Sequence, residues 1–109
     1  METVNYSEIV KNFIQKYAEE CGEESENIEM VFDTQSHVYL LLVTGWQDEK
    51  RIYWFPIHIR IKDGKIWIER DFTEEGIANQ LVELGVPKSD IVLGFRSPYV
   101  RQFTGFASV

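Results

Sequence analysis

A single cysteine, Cys21, stands in the whole chain, so no internal disulfide can form and stability has to come from packing. Long hydrophobic runs are also missing. The longest mostly apolar stretch, VYLLLVTGW at 38–46, is far shorter than the roughly 20 residues a membrane-crossing helix needs. The first residues, METVNYSEIV, carry neither a basic segment nor an apolar signal core, and together with the lone thiol this predicts a protein of the reducing cytoplasm. Only three Pro and seven Gly occur, too few for a low-complexity or collagen-like chain. Positive charge is scarce, with 11 Lys and Arg against 18 Asp and Glu, a net charge of −7. Residues 1–50 hold three of the cations and eleven of the acids, residues 51–109 eight and seven. Such a balance repels phosphate backbones unless a local basic patch prevails, so autonomous duplex binding is disfavoured and a basic protein partner is easier to accommodate.

What is present suits a small folded domain. With 109 residues, 44% of them hydrophobic and 14% aromatic, the chain buries enough apolar surface to offset its conformational entropy and reads as one domain spanning residues 1–109. Tyr6, Ile9, Val10, Phe13, Ile14, Tyr17, Ala18 and Cys21 recur at helical spacing and predict an amphipathic first helix. Asn5 followed by Glu8 resembles a capping box, and Gly22 is placed to end the helix. Cys21 has the phase of a core residue, far from the helix end where a thiolate is stabilised. The acidic EESE at 23–26 reads as a solvated connection.

Four segments rich in β-branched and aromatic residues follow: IEMVF, HVYLLLVTGW, RIYWFPIHIRIK and KIWIERD. They predict an antiparallel meander of about four strands, and so an α+β fold with a helix before the sheet and another after it. Asp63-Gly64 supplies the two positive-φ positions of a type I′ hairpin. Counting outward from it pairs Ile61 with Ile66, Ile59 with Ile68, Arg60 with Trp67 and His58 with Glu69. A four-residue loop from Gln47 to Lys50 pairs Leu42 with Phe55, Val43 with Trp54 and Tyr39 with His58. These registers put Tyr39, Leu41, Val43, Ile52, Trp54 and Trp67 on a face opposite the aliphatic one, where something must cover them. The second helix is expected over about 74–84, with Ile77, Ala78, Leu81 and Val82 buried and Gly85 as its stop. IVLGF at 91–95 can add a fifth short strand, and the aromatic tail SPYVRQFTGFASV is expected to dock on the domain.

Glu69, Asp71, Glu74 and Glu75 crowd the junction between the fourth strand and the second helix. Glu69 and Asp71 are two apart and share a strand face, which suits a metal or general-acid site with His58 close by. HExxH, EF-hand and Walker patterns are all missing and the chain has two His. Asp71 or Thr73 as a helix cap, and Glu74 and Glu75 beside the positive end of the helix dipole, account for the same residues. The sequence therefore predicts no catalytic, cofactor-binding or metal-ligating residue. The alternative is a small metal-dependent or acid/base enzyme built on Glu69, Asp71 and His58. Arg60 opposite Trp67 allows a cation–ring stack of the kind that anchors interfaces. Trp54, Trp67, Arg60, His58, Tyr39, Arg101 and Phe103 are the interface candidates, in a protein expected to form homo-oligomers, a dimer in the first instance. Direct DNA binding would need Arg60, Arg70, Arg96 and Arg101 gathered on one face, with a steep salt dependence as its mark.

Across nearly its whole length the chain resembles the XisI family, the fdxN element excision controlling factors found mainly in cyanobacteria. The resemblance is carried by HIRIKDGKIWIERDFTEEGIANQLVELGVPKSDIVLGFRSPYVRQFTGFA at 58–107, with VTGW at 43–46 in support. It implies a small α+β protein that accompanies a XisH-type partner and assists a site-specific recombinase in excising a DNA element during heterocyst differentiation. The family has no assigned catalytic residues. XisH-type proteins look like members of a restriction-endonuclease-like group, so binding or restraining a nuclease-like partner is the task the resemblance implies. Contact with DNA would then be indirect.

Overall fold

A computed structural model of the chain describes residues 5–20 and 27–108. Helix α1 runs from Tyr6 to Glu20 and buries Val10, Phe13, Ile14 and Ala18, the stripe that its spacing predicts. Its start is capped as expected, the Glu8 N–H donating to Asn5 Oδ1 at 3.2 Å. Cys21, Gly22 and the acidic 23–26 connection lie outside the described residues.

The strands β1 (Ile28–Asp33), β2 (Val38–Gln47), β3 (Lys50–Lys62) and β4 (Lys65–Asp71) form the antiparallel meander, and β5 (Ile91–Leu93) joins β4 in parallel. The order β1-β2-β3-β4-β5 follows the chain. A parallel neighbour needs a crossover, and α2 (Ile77–Glu83) provides it. That helix begins after Gly76, three residues later than predicted, so Glu74 and Glu75 precede it. Its end is a Schellman motif: the Gly85 N–H donates to Val82 O and the Val86 N–H to Leu81 O, with Gly85 at φ 100°.

At the Asp63-Gly64 turn both residues have positive φ, and the pairs Ile61–Ile66, Arg60–Trp67 and Ile59–Ile68 form as the turn dictates. Beyond them the register slips. Glu69 sits in a bulge, so Arg70 and not Glu69 lies opposite His58. A second slip occurs between β2 and β3, where Leu41 pairs with Ile57 but Val43 with Trp54. Phe55 and Pro56 together oppose Leu42 there, a place where a proline costs no ladder hydrogen bond. Tyr39 accordingly faces Ile59 instead of His58, and Leu42 does not pair with Phe55.

Both helices pack on one face of the sheet. Fully buried Tyr39, Leu41, Ile57, Ile59, Ile66 and Ile68 line it and form one cluster with Val10, Ile14, Ile77 and Leu81. Each such aliphatic side chain contributes roughly 1.5–3 kcal/mol by leaving water. Tyr39 is a correction. Expected on the uncovered face, it is in the core, its Oη 2.7 Å from Ser7 Oγ and 3.2 Å from His37 Nδ1. The bulge shifts β3 by one residue, and a one-residue slip moves a side chain to the other face. Tyr6 also ties the helix start to the far end of the chain, donating to Asp90 Oδ2. Burial, then the hydrogen bond and charge of Asp90, push its phenol up to about 12.

No helix among the described residues is long and apolar enough to cross a membrane.

Candidate functional site

The carboxylate junction resolves into a helix start. Asp71 Oδ1 accepts from the Thr73 N–H at 2.8 Å and from Thr73 Oγ1 at 2.6 Å, while its Oδ2 accepts from the Ile77 N–H at 2.7 Å. The Gly76 N–H donates to Thr73 Oγ1 at 3.1 Å. Asp71 Oδ2 thus serves the first backbone donor that the helix N-terminus leaves open, while its Oδ1 ties down Thr73 in the loop before it. Because the bulge takes up Glu69, Asp71 falls opposite Ile57 on the helix-covered face and His58 opposite Arg70 on the other. Asp71 and His58 are therefore not brought together. Glu69 lies against Gly94, where a built Cβ would come within 2.6 Å of Glu69 Oε1 and 3.1 Å of Ile68 O. Among the described residues no group of three or more His, Cys, Asp or Glu side chains is arranged to hold a metal ion.

The opposite face of the sheet, called here the outer face, carries the cations. Alternation from the buried Ile59, Ile66 and Ile68 places Arg60, Lys62 and Trp67 on it. Lys62 Nζ lies 5.4 Å and the Arg101 guanidinium 5.2 Å from the centre of the Trp67 ring. Arg60 pairs with Trp67 as expected, but Lys62 and Arg101 supply the cations at the ring. Arg70 lies 5.4 Å from the Phe55 ring and 4.6 Å from that of Phe72. Phe55 in turn meets the His58 ring edge-on at 6.4 Å. Farther along the β2–β3 hairpin, Arg51 lies 5.2 Å from Trp46 and 5.7 Å from Tyr53. Those two rings are 65% and 63% exposed. A 13-residue strand such as β3 spans about 43 Å at about 3.3 Å per residue.

Two donors on this face have no acceptor among the described residues: Trp67 Nε1 and Arg70 Nε, both buried. Burial lowers the pKa of His58, helped by the Arg60 charge and opposed by Glu69. Its imidazole is held toward the neutral form.

Trp54 and Trp67, expected on the same face of the sheet, are on opposite faces. Trp54 pairs with Val43, in phase with the buried Leu41, and with Tyr17, Val43, Ile52 and Pro56 it lines a groove of about 360 Å³ on the helix side. Phe72 bridges the two faces where β4 has ended. Its N–H donates to Pro56 O at 3.0 Å, and its ring meets Trp54 edge-on at 5.4 Å.

The tail docks at the β5 edge. The Ala107 N–H donates to Ile91 O at 2.9 Å, and Val92, on the outer face, is fully buried. A short helix, α3 (Pro98–Arg101), sets Arg101 so that its Nε and Nη2 donate to Leu93 O and Gly94 O. This covers only the β5 end of the outer face. Tyr99 and Phe103 remain 71% and 69% exposed and stack edge-on at 5.4 Å. Folding gathers Arg60, Arg70 and Arg101 on the outer face, whereas Arg96 lies over its neighbour Phe95. Trp46, Arg51, Tyr53 and Lys62 escaped the sequence reading, and Pro56 inside RIYWFPIHIRIK was the signal that the alternation breaks.

The model of the family described as XisI protein matches residues 1–108. A XisI-like protein from Anabaena variabilis ATCC 29413 is 40% identical, with a TM-score of 0.88 over 97% of this chain and 98% of its own. The fdxN element excision controlling factor XisI from the same organism is 33% identical, with a TM-score of 0.83 over 95% and 96% of the two chains. No curated protein matches. The family model and the two crystal structures all run essentially the length of the chain, which therefore belongs to the XisI family, the family of the fdxN element excision controlling factor.

Proposed function

We propose that this protein is a non-enzymatic accessory factor of the cytoplasm that works through protein contacts made by the outer face of its sheet, with a XisH-type protein as partner. The observation that carries this reading is an open sheet face on which Arg51, Lys62, Arg70 and Arg101 all rest on aromatic rings. Arg and aromatics are the residue types that interfaces concentrate, and an Arg resting on a ring has already lost part of its rotamer freedom. The kinship with an excision controlling factor favours regulation, and the net charge of −7 favours reaching DNA through the partner. Self-association as a dimer belongs to the same proposal. The enzymatic alternative loses Asp71, whose carboxylate is engaged in capping.

The test is size-exclusion chromatography with light scattering on the protein alone and mixed with the co-encoded XisH-type protein. A mixed complex of defined mass supports the reading, and two species that elute independently at micromolar concentration overturn it.

A further inference from the structure

We propose that the outer face is a receptor for a carboxylate-rich protein segment. This rests on the accessory-factor reading and names the chemistry of what docks there. The charge distribution points the same way. The molecule carries −7 overall, yet β3 and β4 turn Arg51, Arg60, Lys62, Lys65 and Arg70 to one face, and the tail adds Arg101. The acids in phase with them are Glu29 and Asp33 on the distant edge strand β1, together with Glu69 beside Gly94. A basic strip on an acidic protein selects for a local negative charge while the whole molecule repels a long polyanion.

The state of the rings separates the two kinds of anion this strip could take. A single-stranded nucleic acid binds by stacking bases on free aromatic faces. Here Trp46 and Tyr53 are approached by Arg51, Phe55 and Phe72 by Arg70, and Trp67 by both Lys62 and Arg101. Rings that hold guanidinium groups in place are supports for the cations. A guanidinium so held loses less freedom when its N–H fork closes on a carboxylate, which it matches two bonds at a time. The N–H groups that a docked segment can reach are those of exposed Arg60 and Lys62, and carboxylates bring acceptors only. Half-buried Leu40, Leu42 and Phe55 lie among these groups, so the segment that fits alternates acidic with apolar residues.

Fluorescence anisotropy reads this directly, using the full chain and three labelled probes. These are a peptide alternating Glu and Leu, the same peptide with Gln for Glu, and an oligothymidine of similar length. The expected result is saturable binding of the Glu peptide alone, weakened about tenfold or more by Arg60→Glu and by Arg70→Gln, as loss of one charge-assisted contact predicts. Arg60 is exposed, so Arg60→Glu keeps the fold, and an unchanged melting temperature confirms that it does. Binding of the oligothymidine in preference, no binding of the Glu peptide, or binding insensitive to both substitutions each overturns the inference. So does self-association that Arg60→Glu abolishes without any peptide binding, which would make a second copy the occupant. A complex with the XisH-type protein that survives Arg60→Glu and Arg70→Gln leaves the accessory-factor reading standing while this inference falls. Failure of the wild-type protein to form that complex removes the reading itself.

Discussion

The two faces of the sheet are made by the same strands and differ in every physical respect. On the helix side Ile59, Ile66 and Ile68 are fully buried and packed against α1 and α2. On the outer side their immediate neighbours Arg60 and Trp67 keep water contact, and the Trp67 ring meets Lys62 and Arg101. One residue of displacement along a strand separates a position that excludes water from one left open to it. Burial stabilises the fold mainly from the helix side, with Val92 under the docked tail as the fully buried exception on the other, so substitutions at the exposed outer positions cost the fold little. The bulges at Phe55–Pro56 and Glu69 decide which residues belong to which side.

Breaking the core side has the largest expected effect. Ile68→Ala should lower unfolding stability by about 3 kcal/mol, within the range for emptying a buried aliphatic site, as read by urea denaturation. Loss of less than 1 kcal/mol, on the order of an exposed site, would mean that the helices do not seal this face. Asp71→Ala comes next, at about 1–2 kcal/mol, because three donor groups around the start of α2 lose their acceptor. Asp71→Asn should recover part of it, and a metal-dependent role would instead leave stability unchanged. Gly94→Ala should cost about 1 kcal/mol, since the new methyl meets Glu69 and the fixed Ile68 carbonyl. Arg60→Ala sharpens the comparison from the other side, with stability changed by no more than about 0.5 kcal/mol while binding at the outer face falls.

The smallest effect concerns pH. His58 has its pKa depressed by burial below the ordinary 6.5, so the unfolded chain takes up its proton first as pH falls. The stability tied to neutral His58 is therefore complete above 6.5 and is lost as pH drops through the lower folded value. Melting temperatures measured across that window should fall less steeply in His58→Gln. Equal slopes would show that the imidazole is as hydrated in the fold as outside it.

Much of this architecture could be read without coordinates. The stripe from Tyr6 to Ala18 specifies α1 because a 3.6-residue period of apolar side chains has one stable way to bury itself. Asp63-Gly64 specifies its hairpin because few residue pairs accept two positive φ values. Gly85 ends α2 for a related reason. Where the reading went astray, it did so at bulges. Strict alternation carried Tyr39 and Trp54 to the open face, and each slip reverses every assignment beyond it. The carboxylate cluster was legible as a cap in type but not in detail. That Thr73 and Ile77 both turn to Asp71 depends on a loop closing back on its own strand end.

Local chemistry, then, was determined by the sequence itself: which segments become helix or strand, where they turn, and the surplus of acid in the first half of the chain. The tertiary structure alone decided which cations share a surface. Arg60, Arg70 and Arg101 come from two strands and a tail. Their meeting on one face follows from strand pairing, two bulges and a docked terminus, interactions between residues distant in sequence that no local pattern encodes.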